Sequence, residues 1–175
     1  GYGFGDDIFS KADMVTKAYA RGVPMGGDLA SRGTQAPEFL VWVTRDPASN
    51  ALQRAQIVKG WIDANGNTQE AVFDVACAGG AAVNAETQRC PENNAVVDVA
   101  TCATQADTGA DELRAVWRDP TYVAGESAAY YARALENPTC RWSSWDALRA
   151  GSSPNPTLPA IIQERVWSSP IWLEN

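Results

Sequence analysis

Histidine is absent from this 175-residue chain. A Ser-His-Asp or Cys-His catalytic arrangement therefore cannot be assembled from its residues alone. Nor can a histidine-ligated zinc or iron site. Lysine is scarce, with Lys11, Lys17 and Lys59 the full complement, and the net charge is −7. Nucleic acid and anionic membrane surfaces both reward a basic face, so neither is expected as the main partner. No apolar run approaches the roughly 20 residues needed to cross a bilayer, and no membrane span is expected. The sequence has no Cys-x-x-Cys pair, which argues against a zinc ribbon or a thioredoxin-like motif. It also has no signal-peptide pattern, and it opens on Gly1, so a processed or internal start is expected.

What remains is enough for one domain with its own core, spanning residues 1–175. The even cysteine count, Cys77, Cys90, Cys102 and Cys140, in an acidic chain rich in tryptophan and poor in lysine points to disulfides and an oxidising compartment. Buried free thiols are the competing reading. Four cysteines permit three pairings. Cys77 with Cys90 is preferred because it would close a short Gly/Asn-rich excursion, which leaves Cys102 with Cys140.

The hydrophobic pattern has mostly period two. Strands are expected at 38–44 (Glu-Phe-Leu-Val-Trp-Val-Thr), 52–62, 70–76, 96–99, 112–118, 127–137 and roughly 163–173. The segments 52–62 and 70–76 flank Asp63-Ala-Asn-Gly-Asn67, the best local hairpin signal in the chain. Residues 1–9 are expected to be the tail of a strand that began upstream. One short helix is expected over 10–20, opened by Ser10 as N-cap and carrying Met14, Val15, Ala18 and Tyr19 on one side. The Ser/Pro/Gly-rich stretch 143–160 is expected to run over the surface. Many short strands joined by long loops predict a mainly β, antiparallel sandwich-like domain.

Several motifs could carry function. Gly22-Val-Pro24-Met25-Gly26-Gly27-Asp28 lacks the lysine and preceding strand of a phosphate-binding loop. It is either a tight turn or a loop that docks on another domain. Asp63, Asn65 and Asn67 present alternating oxygens as in a calcium loop. However, an EF-hand places glycine sixth and glutamate twelfth, whereas Gly66 stands fourth, and a hairpin turn explains the same residues. Asp107, Asp111 and Glu112, like Asp6 and Asp7, read as solvated loops. Of the tryptophans, Trp42, Trp61 and Trp117 are expected in the core or half-buried. Trp142 and Trp145, beside Arg141, are the candidates for stacking on a sugar, and Trp167 and Trp172 are further candidates for exposure. Glu164 and Arg165 are expected in an ion-pair network with Arg133, Glu136 and Arg141. No catalytic residue is assigned.

The runs Tyr130-Tyr-Ala-Arg-Ala-Leu-Glu-Asn-Pro-Thr-Cys-Arg-Trp-Ser143 and Gln163-Glu-Arg-Val-Trp-Ser-Ser-Pro-Ile-Trp172, with Asp13-Met-Val-Thr-Lys-Ala-Tyr-Ala-Arg-Gly-Val-Pro-Met-Gly-Gly-Asp-Leu29 and Leu52-Gln-Arg-Ala-Gln-Ile-Val-Lys-Gly-Trp61, occur in series. In these runs the chain resembles the C-terminal part of a large bacterial family catalogued as domain of unknown function 3604. Its members are similar to secreted or lipid-anchored metal-dependent hydrolases of the polymerase-and-histidinol-phosphatase (PHP) type. The resemblance implies an accessory β-domain in the secreted, periplasmic or cell-surface space. Its partner would be an upstream catalytic domain of the same protein that holds the divalent metal. Cofactors in this chain itself are then none, with calcium at Asp63, Asn65 and Asn67 as the exception to consider. The alternative is a stand-alone secreted binding or structural module, for glycans or a surface assembly. An independent enzyme is the weakest reading, because no nucleophile–base pair is visible. A homo-oligomer stays open.

Overall fold

The computed structural model describes residues 1–105 and 107–174. Its spine is β3 (Leu52–Ile62), rich in β-branched residues and long enough to pair on both sides. It runs antiparallel to β4 (Thr68–Cys77) on one side and to β8 (Ala128–Glu136) on the other. The far edge of β8 is lined first by β11 (Arg165–Trp167) and then by β12 (Ile171–Glu174). The register advances by one residue between Trp167↔Arg133 and Ile171↔Tyr130, so β11 and β12 form one edge strand broken by a bulge at 168–170. The Ser168 hydroxyl accepts the Ala132 N–H there (2.9 Å), in place of a backbone carbonyl. β1 (Asp28–Ala30) adds in parallel outside β12. The six-stranded sheet thus has the order β1-β12-β8-β3-β4, with β11 beside β8.

A separate two-stranded ribbon, β2 (Glu38–Thr44) and β7 (Glu112–Arg118), packs on one face of this sheet. Phe39, Val41 and Leu113 from the ribbon meet Leu52, Ala55, Ile57, Ala128 and Tyr130 from the sheet, with Tyr2, Leu29 and Leu173 closing the core. Aromatic contacts cross the layers. The rings of Phe39 and Tyr130 are 4.5 Å apart, and those of Phe73 and Trp117 are 5.0 Å apart. Two further small pairings are β5 (Val97–Asp98) with β6 (Ala103–Thr104), and β9 (Thr139–Cys140) with β10 (Ile161–Ile162). The chain is mainly β with sandwich-like layering, as the period-two pattern predicts.

The helices depart from expectation in two ways. Ser10 caps nothing: its hydroxyl donates to the Asp7 carbonyl within a short 3-10 turn. α1 (Met14–Arg21) begins four residues later, and none of its residues is buried. A second helix, α2 (Trp142–Ala150), occupies the first half of the stretch expected to be surface loop. Ala147-Leu-Arg-Ala150 are good helix formers, and Gly151 at φ 62 ends the helix in the left-handed conformation. Residues 1–9 form no strand, and their one regular element is the start of the 3-10 turn Ile8–Ser10. Gly1 nevertheless exchanges two backbone bonds with Glu38: its N donates to Glu38 O (2.8 Å), and Glu38 N donates to Gly1 O (2.9 Å).

The cysteines form two disulfides, Cys77–Cys90 and Cys102–Cys140, the pairing preferred from the sequence. The first closes the excursion after β4, where the Cys90 N–H donates to buried Asp74. The second ties the β5–β6 hairpin to β9. Gly109, at φ 111, lies where a Cβ would stand 2.4 Å from Ala51 Cβ and 2.8 Å from Asn137 Nδ2, so the chain can pass there only as glycine. Constraint of the unfolded chain grows with the loop a disulfide closes. The Cys77–Cys90 bond spans 13 residues and the Cys102–Cys140 bond spans 38. Removing them as Ser pairs should cost about 3 and about 4 kcal/mol respectively. Urea unfolding of the two double variants checks this, and a larger loss for the shorter loop would contradict it.

Candidate functional site

Two features stand out between the layers, a sealed polar clasp and an open apolar groove. The clasp begins with Lys59. On β3 it lies opposite Tyr130 of β8 and points into the inter-layer space, and its side chain is 1% exposed. A charge so buried must be paired. Its Nζ lies 2.9 Å from Asp119 Oδ2 and 3.4 Å from Glu126 Oε1, and donates to the Thr121 carbonyl at 3.2 Å. The indole of Trp61 lies 4.8 Å away beneath it. Asp119 accepts from Tyr130 Oη at Oδ2 (2.7 Å), and from the Thr121 N–H and hydroxyl at Oδ1 (2.7 and 2.8 Å). Burial works to raise the Asp119 pKa, but the bonds from Tyr130, Lys59 and Thr121 outweigh it and hold the carboxyl below its ordinary range. Burial, then the Asp119 bond and charge, push the Tyr130 phenol far upward. With its oxygens occupied by fixed donors, the clasp is a structural joint between β7, β3 and β8.

On the other face of the ribbon, Glu38 takes Arg118 on one oxygen and the Phe4 N–H on the other (2.8 Å). Burial opposes its ionisation, but the Arg118 and Phe4 bonds prevail and its pKa is lowered.

The groove has a volume of about 590 Å³ and is mostly apolar. It is bounded by the outer edge of β2, by Ala132 and Ala134 of β8, by Val166 of β11, and by Tyr19 and Met25. Val166 pairs with Ala134 and shares its inward face, yet is 59% exposed. The ribbon covers only part of the sheet beneath it. Chemically the groove offers shape and apolar surface, bordered by a β2 edge with which no strand pairs among the described residues.

The glycine loop lies at the rim of this groove. Pro24 and Met25 line it, while the backbone behind them is fastened to the C-terminal strand. Gly26 N–H donates to Pro170 O (2.8 Å), and Gly27 O accepts from Trp172 N–H (3.1 Å). Gly22 ends α1 and Asp28 begins β1. Gly26 has φ +88, which glycine adopts without strain. Asp63 accepts from the N–H groups of Asn65 and Asn67 at one oxygen and from Gln69 Nε2 at the other, each at 2.9 Å. Its carboxylate thus orders the β3–β4 hairpin turn. Trp142 is 64% exposed on α2, with Arg141 6.0 Å from its ring. Trp145 is half-buried, with Arg149 5.5 Å away. Trp167 and Trp172 are exposed.

Two expectations are corrected. Trp42 is exposed on the outer face of β2, where it donates to Glu112 and lies beneath Arg114. The expected network around Glu164 and Arg165 does not form among the described residues. Both are exposed, Arg133 donates to Gln56, and Glu136 accepts from Ser49. The buried charges are instead Lys59, Asp119, Glu38 and Asp74. One signal could have found the clasp: Lys59 is the lone lysine outside the N-terminal segment, set in a strand of otherwise apolar inward positions.

The profile of a family described as protein of unknown function (DUF3604) matches residues 1–175, the whole chain. The chain belongs to this family. No curated protein and no solved structure matches it. A PHP-type metal centre does not fit the donors that this family member supplies. It has no histidine, all four cysteines are in disulfides, and no group of three or more Cys, Asp or Glu among the described residues could hold a metal. No helix among those residues is long and apolar enough to cross a membrane.

The clasp makes stability depend on pH with a defined sign. Because the Asp119 pKa is lowered in the fold from its ordinary 3.8, its contribution is full above that value and is lost as pH falls through the folded value. Asp119→Asn leaves Lys59 under-compensated and should cost about 3 kcal/mol at pH 7. The difference from the parent should shrink as the pH is taken below about 4. Urea denaturation across that range checks this, and an equal difference at pH 7 and pH 3 would contradict it.

Proposed function

We propose that this chain is the C-terminal accessory β-domain of a secreted, PHP-like metal-dependent hydrolase whose metal-bearing catalytic part lies upstream in the same polypeptide. The observation that carries this reading is the apolar groove. Tyr19, Met25 and Val166 stand exposed around it, as expected of a face that another part of a larger body covers. Family membership over the full chain supports the reading. The two disulfides support an oxidising, extracytoplasmic location. The domain would act by packing, with Pro24 and Met25 presented on a loop that Gly26 and Gly27 anchor to the C-terminal strand. Bound metal in the catalytic part would lower the pKa of water for hydrolysis.

A second reading, a stand-alone glycan-binding module, draws on Trp142, the most exposed of the tryptophans on α2, with an arginine at its side. The two readings part on native mass and metal content. The accessory reading expects a native polypeptide well above 18.8 kDa that carries divalent metal, by intact-mass and elemental analysis. A native mass near 18.8 kDa without metal, together with a Trp fluorescence response to oligosaccharides that Trp142→Ala abolishes, would replace it with the module.

A further inference from the structure

We propose that the polypeptide leading into Gly1 in the intact protein forms a β-strand antiparallel to β2, becoming the third strand of the ribbon and filling the groove. This rests on the accessory-domain reading and adds which segment does the docking, in which direction and in which register.

The direction comes from the backbone. In an antiparallel pair, residues that face each other directly alternate between exchanging both hydrogen bonds and exchanging none. Gly1 and Glu38 exchange both. The Glu38 amide and carbonyl therefore point away from β7, and so do those of Leu40, Trp42 and Thr44. The other side of the ribbon agrees: Arg45 N–H donates to Asp111 O (3.0 Å), which places the odd-numbered residues of β2 on the β7 side. Among the described residues, no strand pairs with the even-numbered edge. Extending the chain backwards from Gly1 carries it along this edge, with the second residue before Gly1 opposite Leu40, the fourth opposite Trp42 and the sixth opposite Thr44.

The side-chain demand comes from the groove. Residues directly opposite in a pair share a face. The residue immediately before Gly1, and every second one before it, would share the face of Phe39 and Val41, which look onto the six-stranded sheet. Half-buried Ala132 and the exposed Val166 are the parts of that sheet left beyond the ribbon, with buried Ala134 between them. Those alternate positions are therefore apolar.

The open edge itself needs cover. Phe39-Leu-Val-Trp-Val-Thr44 carries no charge, proline or bulge, the devices by which exposed edges avoid pairing with other chains. By contrast, the far edge of the large sheet, β4, begins Thr-Gln-Glu and is met further along by the disulfide loop, where Asp74 N–H donates to Gln88 O. A second copy of the chain is the lesser candidate for the β2 edge, because Gly1 already occupies its start and directs the incoming polypeptide along it.

The test is residue-resolved amide hydrogen exchange on the intact protein, with its mass read from the same sample. The proposal expects the Leu40, Trp42 and Thr44 amides to exchange within about tenfold of Phe39, Val41 and Val43. It also expects Val166→Asp to lower the Tm by several degrees, although Val166 would tolerate a charge if the groove were open. Fast exchange at Leu40, Trp42 and Thr44 in a polypeptide well above 18.8 kDa overturns the strand while leaving the accessory domain standing. A native mass near 18.8 kDa overturns both. Protection that vanishes on dilution assigns the edge to a second copy and overturns the strand alone.

Discussion

The ion pair of Lys59 with Asp119 sets how the two layers meet. Lys59 belongs to β3 of the large sheet, Asp119 directly follows β7 of the ribbon, and Tyr130, which donates to the same carboxylate, belongs to β8. Apolar contact alone would let the ribbon slide over the sheet, because burial is indifferent to direction. A charge that is buried on both sides can be satisfied in only one place. The neighbouring residue makes the complementary contact. Successive residues of a strand face opposite sides, and Arg118 turns outward to Glu38 while Asp119 turns inward to Lys59. One end of the ribbon is thus pinned to the layer beneath it and to the N-terminal segment above it.

That pinning decides what stays uncovered. With its position fixed over β4, β3 and the near part of β8, the two strands do not also cover β11. The inner face around Val166 is left open. Glu38 stands at the point of continuation. Its backbone exchanges hydrogen bonds with Gly1, its carboxylate takes the Phe4 N–H, and Tyr2 and Phe4 are buried on either side of Gly3. These contacts fasten the N-terminal segment closely to the start of the ribbon.

Much of the framework was legible because period-two patterns report a sheet with one buried face. The segments 38–44, 52–62 and 112–118 coincide with β2, β3 and β7, and Asp63 to Asn67 form the hairpin turn. Cys77 and Cys90 were readable because a short loop favours a local bond. α2 was obscured by Ser143, Ser144 and the prolines beyond it, which suggest a loop, although Gly151 stops the helix in an ordinary way. The clasp was obscured for a different reason. Asp119-Pro120 has the pattern of a loop, and nothing in the spacing of Lys59, Asp119, Glu126 and Tyr130 shows that folding brings them together. The Glu164–Arg165 expectation failed because β11 lies on the edge of the sheet, where a charge can face solvent without a partner.

The glycine loop shows how one segment can be structural in its backbone and available in its side chains. Gly26 and Gly27 give their N–H and C=O to the C-terminal strand, and the parallel pairing of β1 with β12 follows from that contact. Because β1 caps the large sheet beyond β12, the loop fixes the C-terminal strand and the rim of the groove together. The same backbone holds Met25 outward beside Tyr19, at the mouth of the groove. A flexible thioether and an exposed ring are adaptable contact surfaces. The rigidity needed to place them comes from Gly26, whose φ of +88 suits glycine, and from Gly27, where a Cβ would stand 3.1 Å from the Pro24 carbonyl. Substituting the loop backbone and substituting its side chains should therefore separate folding from docking, which a loop serving only as a turn would not do.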